Sequence, residues 1–158
     1  MKTLIIYISI HKGNTEKIAK AMAGILNAKL VDPNEVKLDE LSQYDLIGFG
    51  SGIYFQKHHK SLLNFVDKLP KLQNQNAFIF STRGMGPVRF YHRLLRNKLL
   101  KKGFNIASEF SCKGFDIFGP FKIIGGINKG RPSKKDLENA KDFARDMMSK
   151  RRNKNENK

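Results

Sequence analysis

The stretch Ser9-Ile10-His11-Lys12-Gly13-Asn14-Thr15 joins the apolar run Leu4–Ile8 to a helical pattern. Free backbone N–H groups and the helix dipole favour an anion at such a junction. Gly13 allows close backbone approach. Ser9, Asn14 and Thr15 can donate side-chain hydrogen bonds to a phosphate, His11 and Lys12 add donors, and Lys12 adds charge. The same residues also suit an ordinary turn with Asn14 or Thr15 as the helix N-cap. A second stretch, Gly50 to His59, reads GSGIYFQKHH. Small Ser51 and Gly52 precede Ile53, Tyr54 and Phe55, an order that suits a flat aromatic ligand held by backbone and covered by a side chain. A surface loop whose aromatics pack locally reads the same way. A third, Ser81 to Pro87, reads STRGMGP. Its glycines stand beside the hydroxyls of Ser81 and Thr82 and let backbone approach a polar ring edge. It also suits a turn into a helix starting near Val88. Taken together, a phosphate cradle and two ring-binding loops describe a mononucleotide site. Neither G-x-G-x-x-G nor G-x-x-x-x-G-K-[ST] occurs, which sets aside the dinucleotide fingerprint and the nucleotide triphosphate loop.

The elements that must position these loops follow from the apolar pattern. Leu4–Ile8, Leu46–Phe49 and Ala77–Phe80 are continuous apolar runs, as strands covered on both faces are. Ala28–Val31 is a weaker strand, ended by DPNE. Phe104–Phe110 places Phe104, Ile106, Ser108 and Phe110 on one face and so reads as lying nearer an edge. Helical stripes fall between them: Ile18, Met22, Ile25 and Leu26; then Leu62, Leu63, Val66 and Leu69, stopped by Pro70; then Val88, Tyr91, Leu95 and Leu99, stopped by Gly103. Ser133 and Asp136 have capping-box spacing at the start of a last helix. Leu137, Ala140, Ala144, Met147 and Met148 supply its buried face. This alternation predicts an α/β fold: a single-domain, doubly wound, five-stranded parallel sheet with helices on both faces. The domain is expected over residues 1–150, with a basic polar tail over 151–158. In such sheets a ligand sits beyond the carboxyl ends of the strands, where all three stretches fall.

At SIHKGNTEKIA, DLIGFGSGIYF, FIFSTRG and KGRPSKKDLENAKDFA the chain resembles the flavodoxin family over nearly its whole length. The resemblance implies strand order 2-1-3-4-5, one non-covalent FMN, and single-electron carriage between redox proteins with no catalytic acid or base. It implies that Ser9, His11, Lys12, Gly13, Asn14 and Thr15 hold the phosphate. Ser51, Gly52, Ile53, Tyr54 and Phe55 would flank the isoalloxazine ring, and Ser81, Thr82, Arg83 and Gly84 would meet its pyrimidine side. The usual phosphate loop is S/T-x-T-G-x-T; here it is one residue longer, with His11-Lys12 where a hydroxyl and a glycine are common.

Thirty basic residues against fourteen acidic ones give a net charge of +16. Nine Lys or Arg and no acidic residue fall between Lys68 and Ser108, and Arg89, Arg93 and Arg96 share one helical stripe. Such a field favours acidic redox partners, ferredoxin-like in kind, and permits weak contact with an anionic membrane. Two other readings stay open. One is a flavin oxidoreductase acting on a quinone or porphyrinogen-type substrate, since SGIYFQKHHKSLLNFVDKLP resembles the matching stretch of menaquinone-dependent protoporphyrinogen dehydrogenases. The other is a basic nucleic-acid-binding module, although no recognised binding motif is present. The longest apolar run, Leu4–Ile8, is too short for a bilayer. With no signal-peptide pattern and a single cysteine, Cys112, the expected compartment is the cytoplasm. His11, His58, His59 and His92 lack metal-ligand spacing and read as solvated or, for His11, phosphate-adjacent; no metal is expected. Cys112 reads as a small buried thiol. The glycine-rich segment Cys112–Pro132 reads either as packing beneath the sheet edge or as an apolar lid beside the ligand.

Overall fold

The computed structural model describes residues 1–10, 12–117 and 119–156. Its central sheet runs β2 (Lys29–Val31), β1 (Thr3–Ile8), β3 (Leu46–Tyr54), β5 (Gln75–Arg83), β6 (Phe104–Lys113), all parallel. Counting these five strands alone gives the expected order 2-1-3-4-5. A two-residue strand, β4 (Lys57–His58), adds an antiparallel pair to the end of β3. The sequence pattern does not reveal it.

Strand alternation sorts the core into two layers. Leu4, Ile6, Ile47, Phe49, Ala77 and Ile79 face helices α2 (Lys60–Lys68) and α3 (Val88–Lys101). Ile5, Leu46, Phe78 and Phe80 face α1 (Asn14–Leu26) and α4 (Lys134–Glu156). On that second face β3 carries Gly48 and Gly50, and the rings of Phe78 and Phe80 lie across them. A Cβ on Gly50 would sit 2.1 Å from the Phe80 ring, so any side chain there would have to displace that ring. The predicted capping box is formed: Ser133 Oγ accepts from Asp136 N at 3.3 Å, and Ser133 N donates to Asp136 Oδ2 at 2.6 Å. Burial opposes ionisation of Asp136, but these bonds and the Arg131 guanidinium outweigh it and hold the carboxyl below its usual range. The boundary drawn at residue 150 falls inside α4, which runs to Glu156.

Beta-strand β6 departs from the expected pattern. Its register with β5 passes from Ala77 opposite Ile106 to Phe78 opposite Ser108, leaving Ala107 as a bulge. Phe104 and Ile106 therefore pack with the α2/α3 layer, whereas Phe110 and Cys112 pack with the α1/α4 layer. The single face expected for Phe104, Ile106, Ser108 and Phe110 is split, because one extra residue reverses the alternation. Glu109 and Ser111 are thereby turned toward α3.

Candidate functional site

A cleft of about 350 Å³ opens beyond the carboxyl ends of β1, β3, β5 and β6, within the usual range for small-molecule sites. At one end lies the start of α1. Lys12 and Gly13 both adopt left-handed backbone, with φ of 55° and 65°, and swing the chain from β1 into the helix. Ser9 Oγ accepts from Glu16 N at 3.1 Å and caps the first turn. Asn14 reaches across to donate to Phe115 O at 2.7 Å, and Thr15 Oγ1 lies 2.9 Å from Thr82 Oγ1. The start of α1 is thus tied to the end of β5 and to the segment after β6 at the cleft floor.

The middle of the cleft is walled by Gly52, Ile53, Tyr54 and Phe55 on one side and by Thr82, Arg83 and Gly84 on another. Tyr54 folds back over Gly52, where a Cβ would lie 2.9 Å from its ring, and stacks edge-on against His59 at 5.3 Å. Burial, and secondarily the charge of Asp116, raise the Tyr54 pKa, so the phenol keeps its proton. Phe55 stands 79% exposed at the rim.

Of the residues expected here, Ser9, Asn14, Thr15, Gly52, Ile53, Tyr54, Phe55, Thr82, Arg83 and Gly84 line the cleft. Lys12 and Gly13 are not among the lining residues; they shape the turn behind it. His11 lies outside the described residues. Ser51 and Ser81 sit on the opposite face of the sheet, fully buried, because they continue the alternation of Phe49 and Ile79 toward α2 and α3. The sequence reading missed Ile10, Gln56, Met85 and Tyr91, and also Gly114, Phe115, Asp116, Pro120 and Phe121. The last five belong to the segment Cys112–Pro132, which forms a wall of the cleft. It is held by Gly114 N to Arg83 O at 2.9 Å, by paired bonds between Asp116 and Ile127, and by Asn128 Nδ2 to Gly84 O at 2.8 Å. Tyr91 enters from α3 and donates to Met85 O at 2.9 Å.

Behind the wall lies a buried polar network. His58 Nδ1 contacts Ser51 Oγ at 2.9 Å, and the His58 and His92 rings lie 5.0 Å apart. His92 Nε2 meets Ser81 Oγ at 2.7 Å, which meets Ser111 Oγ at 2.8 Å. On its other side His92 Nδ1 donates to Glu109 Oε2 at 2.9 Å, and Arg96 grips the same carboxylate with Nε and Nη2. Burial disfavours the Glu109 charge, but the His92 and Arg96 hydrogen bonds prevail and hold its pKa at about 2. His58 and His92 are therefore core residues and not solvated ones. Arg96 turns inward from the basic stripe that Arg89 and Arg93 continue. Burial pushes the Cys112 thiol up to about 12, so it stays protonated, in keeping with a small buried thiol. Among the described residues no group of three acidic, His or Cys side chains could hold a metal ion. Nor is any helix there long and apolar enough to cross a membrane.

The layered sheet and its cleft define a doubly wound α/β protein with a ligand site at the strand ends. The chain belongs to the flavodoxin family: the profile of the flavodoxin domain matches residues 4–111. It is 52% identical over 149 residues to an uncharacterized protein of Methanocaldococcus jannaschii, covering 94% of this chain and 99% of that one. Among solved structures it resembles oxidised flavodoxin 2 from Bacillus cereus, with a TM-score of 0.72 and 20% identity over 95% of this chain and 99% of that one. A flavodoxin from the domain Archaea aligns with a TM-score of 0.66 and 20% identity, covering 95% and 98% of the two chains.

Proposed function

We propose that the protein binds one FMN in this cleft and carries single electrons between redox proteins. The observation that carries the reading is the cleft's chemistry from end to end. A helix N-terminus with Ser9, Asn14 and Thr15 suits a phosphate. Between it and the ring slot, Asn14 Oδ1 is buried with no hydrogen-bond partner among the described residues and would accept from a ribityl hydroxyl. Arg83 lines the slot, and its Nε is a buried donor with no partner among the described residues, matched to the carbonyl-rich pyrimidine edge of a flavin. Tyr54 supplies an aromatic wall for the ring. These unmet groups fit FMN: Ser9, Asn14 and Thr15 would hold its phosphate end, and Gly52 to Phe55 with Thr82 to Gly84 its ring. FMN supplies the electron chemistry when bound, while the chain supplies orientation and shielding from water.

The partners are acidic redox proteins. A net charge of +16 steers such partners and repels basic ones, and the attraction weakens with salt. The test is direct. Purified full-length protein should be yellow and should release FMN on denaturation; a colourless protein that does not bind added FMN overturns the proposal. A second reading, an FMN oxidoreductase for a quinone or porphyrinogen-type substrate, is favoured by the apolar rim that Ile10, Phe55 and Met85 expose. Turnover of the FMN-loaded protein with a soluble quinone, without any protein partner, would support that enzyme over the carrier.

A further inference from the structure

The hairpin that carries Tyr54 and Phe55 into the cleft is poorly able to hold itself. Its two-residue turn, Phe55-Gln56, has φ of 47° and 63°, left-handed backbone at two residues that are not glycine. Left-handed backbone is strained for residues that carry a side chain. The ladder behind the turn has two residue pairs, Ile53 with His58 and Tyr54 with Lys57, and a short isolated ladder is marginal in water. Something outside the hairpin must hold it.

Ser51 Oγ has three neighbours. His59 N donates to it at 2.9 Å, it donates to Gly52 O at 2.8 Å, and His58 Nδ1 lies at 2.9 Å. A hydroxyl has one proton and two lone pairs. With the proton on Gly52 O and one lone pair on His59 N–H, the remaining lone pair requires Nδ1 to be the donor. His58 is then the neutral Nδ1–H tautomer, a choice dictated by the network. His58 Nε2 is left as a bare acceptor, and it is buried with no partner among the described residues. The other tautomer would strand an N–H there, which proteins tolerate less well than a stranded acceptor. Burial, and after it the neighbouring His92, push the His58 pKa well below the usual imidazole value, which keeps the ring neutral.

We propose that His58 is a positioning residue for the cleft: its Nδ1–H fixes Ser51 Oγ, and through it Gly52 and His59, so that Gly52–Phe55 keep the shape the ligand needs. Where that ligand is FMN, the inference rests on the proposed function; the hairpin latch itself does not. Three measurements test it on the full-length protein. Nitrogen-15 NMR of the histidines at pH 7 should show His58 as the Nδ1–H tautomer; an Nε2–H tautomer or an imidazolium overturns the proposal. Amide exchange in the absence of FMN should quicken about ten-fold at Ile53 and His59 in His58→Leu, with Phe78 to Phe80 unchanged. Equal exchange in variant and wild type overturns it. His58→Asn restores an N–H near the Nδ1 position and should bring exchange back to within about three-fold of wild type. A merely space-filling role for His58 predicts no such rescue, and its absence counts against the latch. Titration with FMN should show a dissociation constant about ten-fold higher in His58→Leu and recovered in His58→Asn; unchanged affinity refutes the link to the ligand. If wild type binds no FMN, the proposed function falls while the NMR and exchange results still decide the latch.

Discussion

Replacing Glu109 by glutamine removes a charge at the centre of the buried network and leaves its shape. The carboxylate accepts from His92 Nδ1 at 2.9 Å and from Arg96 Nη2 at 2.7 Å. A glutamine offers one acceptor oxygen, and its amide N–H groups must face a donor. In the folded chain the Glu109 pKa moves from an ordinary 4.5 to about 2. At about 1.4 kcal/mol per unit, that shift corresponds to about 3 kcal/mol of stability at pH 7. The side chain is 21% exposed, so solvent reduces this toward about 2 kcal/mol. Because the folded-state pKa is depressed, the contribution is complete above the unfolded value and is lost as pH falls toward 2. Urea unfolding followed by far-ultraviolet circular dichroism should show Glu109→Gln less stable by about 2 kcal/mol at pH 7, with a melting point about 6 °C lower. By pH 3 the gap between wild type and variant should shrink to less than half. A gap below about 0.5 kcal/mol at pH 7 would mean that desolvation cancels the network's attraction. A gap of constant size down to pH 3 would mean that packing and not charge is at stake. Either result refutes the reasoning.

Gly50→Ala should lower stability by about 1–3 kcal/mol or abolish folding, since the new methyl would meet the Phe80 ring at 2.1 Å in a close-packed layer; thermal melts measure this. Ser133→Ala should cost about 1 kcal/mol by uncapping α4, read as a melting point lower by about 3 °C.

The layered sheet was legible because Leu4–Ile8, Leu46–Phe49 and Ala77–Phe80 are short, apolar without interruption and followed by glycine or small polar residues, as strands buried on both faces are. Ser51 and Ser81 follow those runs directly, which draws them into a sequence reading of the cleft. The two-residue period, carried on from Phe49 and Ile79, puts them on the opposite face and leaves Gly52 and Thr82 for the ligand. The β4 hairpin had no such signal, since its turn is Phe55-Gln56 where glycine or asparagine would have marked it. Nor could His58 and His92 be told from surface histidines. Their partners Ser51, Ser81 and Glu109 come from three different strands, and proximity across a sheet is invisible in a linear spacing. The wall that Gly114, Phe115, Asp116, Pro120 and Phe121 contribute was marked only by the length and the glycines of its segment.

Ala107 acts on the sheet as an insertion acts on a reading frame. Upstream of it, even-numbered residues of β6 address the α2/α3 layer; downstream, odd-numbered ones do. Glu109 and Ser111 reach His92 and Ser81 only in the shifted frame, and Phe110 would stand near that polar centre in the unshifted one. The identity of the alanine matters little, while its presence as a spacer decides whether the end of β6 speaks to the histidines or to the flank of α4. Chain length at this one position is therefore under tighter constraint than the residue that occupies it.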